Sequence, residues 1–185
     1  MAATGENDAL CGAKVCLRAF VLDDVDAVTR ACQDEEIHRW TVTLPWPYTA
    51  DHALAWIQTH PEQSRDGTAF HFAVVDRTTG GFCGSISMER SRSVPKQAGL
   101  GYWIAPWARN RGFASDALRV LAASAMDLAA VERLVLVTMT GNVASERVAQ
   151  RASFAVVSEN PSHAYGMRDG TRYGVKFWQR TAGPA

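Results

Sequence analysis

The 185-residue chain has no excess of charge of either sign: 19 Lys and Arg balance 19 Asp and Glu, and no stretch forms a long basic stripe. Nucleic acid and anionic membrane both demand concentrated positive charge, so neither is expected as the main partner. No apolar run approaches the length that spans a bilayer. Met1 to Leu10 carries Glu6 and Asp8 where a secretory signal would have a basic start and an apolar core, so residues 1–12 are expected to be a disordered tail. Cysteine is scarce. Cys11, Cys16, Cys32 and Cys83 form no Cys-x-x-Cys pair and have no His at zinc spacing, which argues against a metal site. Reduced, mostly buried thiols are the ordinary expectation, and with the missing signal they imply a cytoplasmic protein. Two common phosphate-binding strings are also missing. There is no Gly-x-x-x-x-Gly-Lys-Ser/Thr, and no Gly-x-Gly-x-x-Gly followed by an acidic residue.

What is present is an ordinary globular composition, 47% hydrophobic and 21% charged, long enough for one domain with a substantial core. Val15 to Phe20 reads as a strand, and Leu22, Val25, Val28 and Cys32 then repeat at helical spacing. Trp40 to Tyr48, rich in Pro and aromatics, reads as a loop, and Thr49 as the N-cap of a helix to about Gln63. Ala69–Val75 and Phe82–Met88 read as a hairpin, and Ala98–Ile104 as a third strand. Ala114 to Ala130 carries a helical apolar stripe. Arg133–Met139 reads as a strand buried on both faces, and Asn142 as the N-cap of a helix to about Ala152. Phe154–Val157 and Thr171–Trp178 close the chain as strands. This order specifies one α/β (α+β) domain over residues 13–180, with antiparallel hairpins first and then a strand–helix–strand unit whose strands run parallel.

Arg109-Asn-Arg-Gly-Phe-Ala114 lies between a strand and a helix. The first N–H groups of a helix have no internal partner and the helix dipole favours an anion there. Gly112 lets backbone approach a phosphate, and Arg109 and Arg111 add positive charge. A ligand bearing a pyrophosphate is the expectation.

Arg109, Gly112 and Ala114 fill the Gln/Arg-x-x-Gly-x-Gly/Ala pattern of the GNAT superfamily of acyl-CoA N-acyltransferases. Leu100-Gly-Tyr-Trp, Asn142-Val-Ala-Ser145 and Val148 to Phe154 resemble further segments of that family, in the family's order. Pro47-Tyr-Thr followed by Ala55-Trp-Ile57 resembles the branch of ribosomal-protein N-terminal acetyltransferases (RimJ/RimL-like). The resemblance covers about residues 15–178. It implies a GNAT fold, with a mixed central sheet of about seven strands that splays at the cofactor site and is flanked by helices.

The resemblance also implies roles. Acetyl-CoA is the implied co-substrate, with no metal. Backbone around Trp103, Ile104 and Ala105 would meet pantetheine and thioester, and Asn110, Arg111, Gly112, Phe113 and Ala114, with Arg109, would surround the pyrophosphate. The Ile104 N–H would stabilise the oxyanion. Asn142 would either cap its helix or bond the pantetheine arm. Ser145 would protonate the departing thiolate, or hold a water that does, since no Tyr clearly occupies the alternative acid position. Trp40, Trp46 and Tyr48 would wall the acceptor pocket or pack the loop, and His163 and Tyr165 would face the acceptor or solvent. His38, His52 and His60 are expected to face solvent.

One position departs from the pattern. Relatives often carry Glu immediately before Leu-Gly-Tyr-Trp as general base, and here that residue is Gly99. An amine near neutral pH is mainly ammonium, so its proton must be removed. Glu89 and His71 are the candidate substitutes, and Asp34, Glu35 and Glu36 are further carboxylates for a cationic acceptor. Ser153, where Gly is usual, must adopt a left-handed turn. The implied acceptor is a protein or peptide N-terminal α-amino group. A small amine and a non-catalytic acetyl-CoA-binding sensor are the alternatives, and either a monomer or a homodimer fits.

Overall fold

A computed structural model describes residues 10–128, 131–158, 165–168 and 171–181. The order is β1 (Leu10–Cys11), β2 (Val15–Ala19), α1 (Val25–Cys32), α2 (Glu35–Trp40), α3 (Ala50–Arg65), β3 (Ala69–Asp76), β4 (Phe82–Arg90) and β5 (Gln97–Ile104). Then come α4 (Phe113–Leu128), β6 (Arg133–Met139), α5 (Val143–Arg151), β7 (Ala155–Ser158), β8 (Tyr165–Arg168) and β9 (Thr171–Thr181). The sheet runs β1-β2-β3-β4-β5-β6-β9-β7, with β8 paired to β9 off this path. Among the described residues it therefore has nine strands rather than about seven, because β1 and β8 are short hairpin partners that sequence periodicity does not reveal. β5 and β6 pair in parallel, as a strand–helix–strand unit requires, and the other pairs are antiparallel.

Alternation along the strands builds two cores. Ile86 and Met88 of β4 and Leu100 of β5 face α4, whose Leu118, Leu121 and Ala125 are buried against them. Each Leu so buried contributes about 2 kcal/mol. On the other face, Val28, Cys32 and Ile37 of the first two helices join Ala53 and Ile57 of α3 and Tyr48. β6 departs from the expected double burial: Val137 is 47% exposed.

Local chemistry explains the helix starts. Asp34 accepts from the Ile37 amide (2.9 Å) and opens α2, a helix that sequence periodicity missed because it is only six residues long. Thr49 caps α3 and Asn142 caps α5, as expected. Ser153 adopts φ +63°, the left-handed turn its position demands.

The cysteine expectation is corrected for two of four. Antiparallel register puts Cys11 opposite Cys16 with Cα atoms 4.0 Å apart, and they form a disulfide across the β1–β2 hairpin. Cys32 and Cys83 are free and buried. β1 also lies inside the stretch expected as a tail, so the fold begins by Leu10; residues 1–9 fall outside the described residues. No helix among the described residues is long and apolar enough to cross a membrane.

Candidate active site

β5 and β6 pair only from Gln97↔Arg133 to Leu100↔Leu136, although β5 continues to Ile104 and β6 to Met139. Beyond Leu100 the strands diverge and leave a wedge, and β5 presents an unpaired edge to it. The Ala105 N–H donates back to Cys83 O (2.9 Å). Strand amides alternate in direction, so the Ile104 N–H is directed to the opposite edge, into the wedge. Arg109 Nε donates to the Ile104 carbonyl from that same side (3.4 Å). Gly84 makes this close packing possible: a Cβ there would lie 2.3 Å from the Trp103 carbonyl oxygen.

At the far end of β5 lies the loop into α4. Asn110 and Gly112 take φ of +63° and +82°, and such left-handed residues fold successive amides into an anion-binding concavity. Both arginines of the loop are held by carboxylates. Arg109 makes a two-pronged pair with Asp34 (2.5 and 3.4 Å), and Arg111 pairs with Asp76 (2.7 Å) while lying over the Phe113 ring at 4.4 Å. Burial opposes ionisation of Asp34, but hydrogen bonds from Arg109 and the Ile37 amide outweigh it and hold the carboxyl below its usual range. The Thr78 amide does most to lower Asp76, against burial and with help from Arg111. Phe113 is buried in the core with its ring beneath the Arg111 guanidinium, and Ala114 is half-buried. Sequence reading missed Asp116, which is buried and accepts from the amides of Lys14 (2.7 Å) and Val15 (3.1 Å), locking α4 to the β1–β2 hairpin.

Inside the wedge, Tyr102 on β5 reaches Ser145 on α5: the two hydroxyl oxygens are 2.7 Å apart. The sequence expectation that no Tyr clearly occupies the alternative acid position did not anticipate this Tyr beside Ser145. The contact joins residues 43 apart, which no local pattern shows. Burial pushes the Tyr102 phenol up to about 12, with the Ser145 hydrogen bond opposing, so it stays protonated near neutral pH. Asn142 Oδ1 accepts from the Ser145 amide (3.1 Å), which is the capping role of the two expected.

A cavity of about 430 Å³ opens against Trp103 and Tyr102. Its floor is the second face of the sheet, with Ser85, Ser87 and Glu89 from β4 and bare Gly101 from β5; His71 of β3 lines it too. Cys32, Tyr48, His52, Trp56 and the Thr41–Pro45 stretch complete the wall. Glu89 is thus brought to the cavity, while Trp40 is not: its indole donates to Glu36 (2.9 Å) on its own helix. Trp46 is 48% exposed. Of the four anticipated carboxylates only Glu89 lines the cavity, since Asp34 holds Arg109, Glu36 holds Trp40 and Glu35 is exposed.

His60 is buried rather than solvent-facing, because its ring stacks on His71 at 4.2 Å and Trp56 meets it edge-on at 4.5 Å. None of the four ring nitrogens of this pair has a hydrogen-bond partner among the described residues. Burial lowers both histidines, His60 to about 4 with His71 adding to the effect; for His71, Glu89 opposes it. His52 is exposed, and half-buried His38 lies 4.5 Å from the Trp46 ring. His163 falls outside the described residues, and Tyr165 is described only as part of β8. No group of His, Cys, Asp and Glu able to hold a metal occurs among the described residues.

Comparison with known proteins identifies the fold and family. The chain is 32% identical over 75 residues to YdaF of Bacillus subtilis strain 168, provisionally assigned as a ribosomal N-acetyltransferase; the match spans 40% of this chain and 41% of that relative. The fold is shared with Mycobacterium smegmatis RimJ in complex with CoA-disulfide (TM-score 0.79, 19% identity, covering 91% of this chain and 82% of that one). It is shared also with the Salmonella typhimurium acetyltransferase that modifies the N-terminal serine of ribosomal protein L7/L12 (TM-score 0.77, 18% identity, 92% and 96% coverage). A family model described as an acetyltransferase (GNAT) domain matches residues 14–155. The chain belongs to the GNAT acetyltransferase family.

Proposed function

We propose that the protein transfers acetyl from acetyl-CoA to the N-terminal α-amino group of a protein or peptide. The observation that carries this reading is one continuous path. The concave loop at Asn110–Gly112, the β5–β6 wedge and the cavity above Glu89 are consecutive along β5. A diphosphate rests on the loop amides, Arg109 and Arg111 frame it, and pantetheine pairs with the open β5 edge at Trp103–Ala105 as an added strand would. The thioester then meets the cavity where the acceptor enters.

Each chemical requirement has a residue. Glu89 is the carboxylate that binds the acceptor ammonium and takes its proton. The neutral amine attacks the thioester carbon, and the Ile104 N–H receives the developing oxyanion, worth about 3 kcal/mol in comparable sites. As the C–S bond breaks, the proton lost by the attacking nitrogen passes through Ser145, held by Tyr102, to the departing thiolate. Holding both reactants together is the main source of rate. A cytoplasmic location, as expected from the sequence, fits the use of acetyl-CoA as co-substrate.

Thiol release from acetyl-CoA, measured against peptides of varied first residue and against small amines, tests the reading. Preferential turnover of peptides is the expected result. Preference for small amines would reassign the acceptor, and tight acetyl-CoA binding without turnover would make the protein a sensor.

A further inference from the structure

The charges around the α4 loop pair off, with one consequence. Arg109 is taken by Asp34, Arg111 by Asp76, and Arg119 by Asp116. A bound diphosphate brings several negative charges to a loop whose arginines are already neutralised. Lys14, about a hundred positions away in sequence, is the exception at that loop. It stands in the turn of the β1–β2 hairpin, and its ammonium donates to the Arg111 carbonyl (2.8 Å). A Cβ placed on Gly112 would come 3.1 Å from the same nitrogen. No carboxylate pairs with Lys14 among the described residues, and the side chain is exposed. An ammonium has three donors, so two remain for a ligand on the loop.

The position is fixed from several sides. The Lys14 amide donates to Asp116, the Arg77 amide donates to the Lys14 carbonyl (3.0 Å), and the Arg77 guanidinium grips Gly12 O (2.7 Å). The Cys11–Cys16 bridge closes the hairpin behind it. Arg77 itself has no carboxylate partner among the described residues, so a second unneutralised cation lies beside the first.

We infer that Lys14 is a phosphate ligand of CoA, supplying from the β1–β2 hairpin the net positive charge that the Arg109–Gly112 loop lacks. The inference rests on the acetyl-CoA reading above. Because the ammonium touches the loop itself, its partner is the diphosphate rather than the 3′-phosphate.

Calorimetric titration of the full chain with acetyl-CoA tests it. Lys14→Met weakens binding about tenfold and Lys14→Arg restores most of the loss, with thermal midpoints unchanged. The same tenfold ratio with dephospho-CoA assigns the diphosphate; a ratio that disappears there upholds the phosphate contact but moves it to the 3′-phosphate. With S-acetylpantetheine, which carries no phosphate, Lys14→Met turns over like wild type. Binding of acetyl-CoA by Lys14→Met within twofold of wild type overturns the inference alone. Failure of the wild type to bind acetyl-CoA overturns the reading beneath it, and the inference with it.

Discussion

Glu89 on β4 and Gly99 on β5 are direct cross-strand partners, so the carboxylate stands beside the position where the family resemblance leads one to expect Glu. Cross-strand partners share a face of the sheet. A Cβ at Gly99 would meet nothing nearer than the Glu89 carbonyl at 4.0 Å, so the neighbouring site is empty of side chain. In the proposed mechanism Glu89 supplies the general base from the neighbouring strand. Glu89→Gln is therefore expected to lower kcat/KM for the acceptor about tenfold or more, and adding Gly99→Glu to that variant restores part of the loss. Steady-state kinetics on both variants check this; an unchanged kcat/KM in Glu89→Gln would remove Glu89 from the mechanism.

The Tyr102–Ser145 hydroxyl pair predicts non-additive kinetics. Ser145→Ala and Tyr102→Phe each lower kcat by roughly 10- to 100-fold, and the double variant is no worse than the poorer single one, because the two act as a unit. Acetyl-CoA affinity stays near wild type in all three. Fully additive losses would show that the hydroxyls work separately.

Gly112→Ala tests the phosphate loop. Its φ of +82° costs a side-chain-bearing residue about 1 kcal/mol, and the added methyl crowds the Lys14 ammonium. Acetyl-CoA affinity is expected to drop at least tenfold by calorimetry while the fold persists by circular dichroism. Wild-type affinity would mean the diphosphate sits elsewhere.

Stability should fall in mild acid because of His60. Its folded-state value, about 4, lies below the unfolded value of 6.5, so between these pH values the unfolded chain binds the extra proton. The stabilisation is complete above pH 6.5 and is lost as pH falls toward 4, by about 3 kcal/mol. His71, also lowered, adds in the same direction. Asp34 and Asp76 are lowered carboxyls, so their contributions are lost only below pH 3.8. Urea midpoints across pH 4–7 check the window, and His60→Phe should flatten the slope.

The Cys11–Cys16 bridge closes a loop with a sequence separation of 5, for which chain entropy gives about 2 kcal/mol. Reduction is expected to lower the thermal midpoint by several degrees and, through the hairpin that carries Lys14, to weaken acetyl-CoA binding a few-fold. A midpoint unmoved by reductant would show that the hairpin is held by Asp116 and Arg77 alone.

The pattern of residues along the chain was enough for the features that arise within one element or one turn. The stripe of α4, the Thr49 and Asn142 caps, the Gly112 loop and the left-handed Ser153 each follow from sterics and hydrogen bonding among near neighbours. Tertiary structure alone decided everything that depends on register or on packing between distant segments. It set Glu89 beside Gly99, Tyr102 against Ser145, Cys11 across from Cys16, His60 onto His71, and Asp34 and Asp76 onto the two loop arginines. Periodicity tells which face of a strand a side chain takes, but not which strand lies next to it. The contacts of the candidate site lie between strands and helices that meet only when the sheet is assembled.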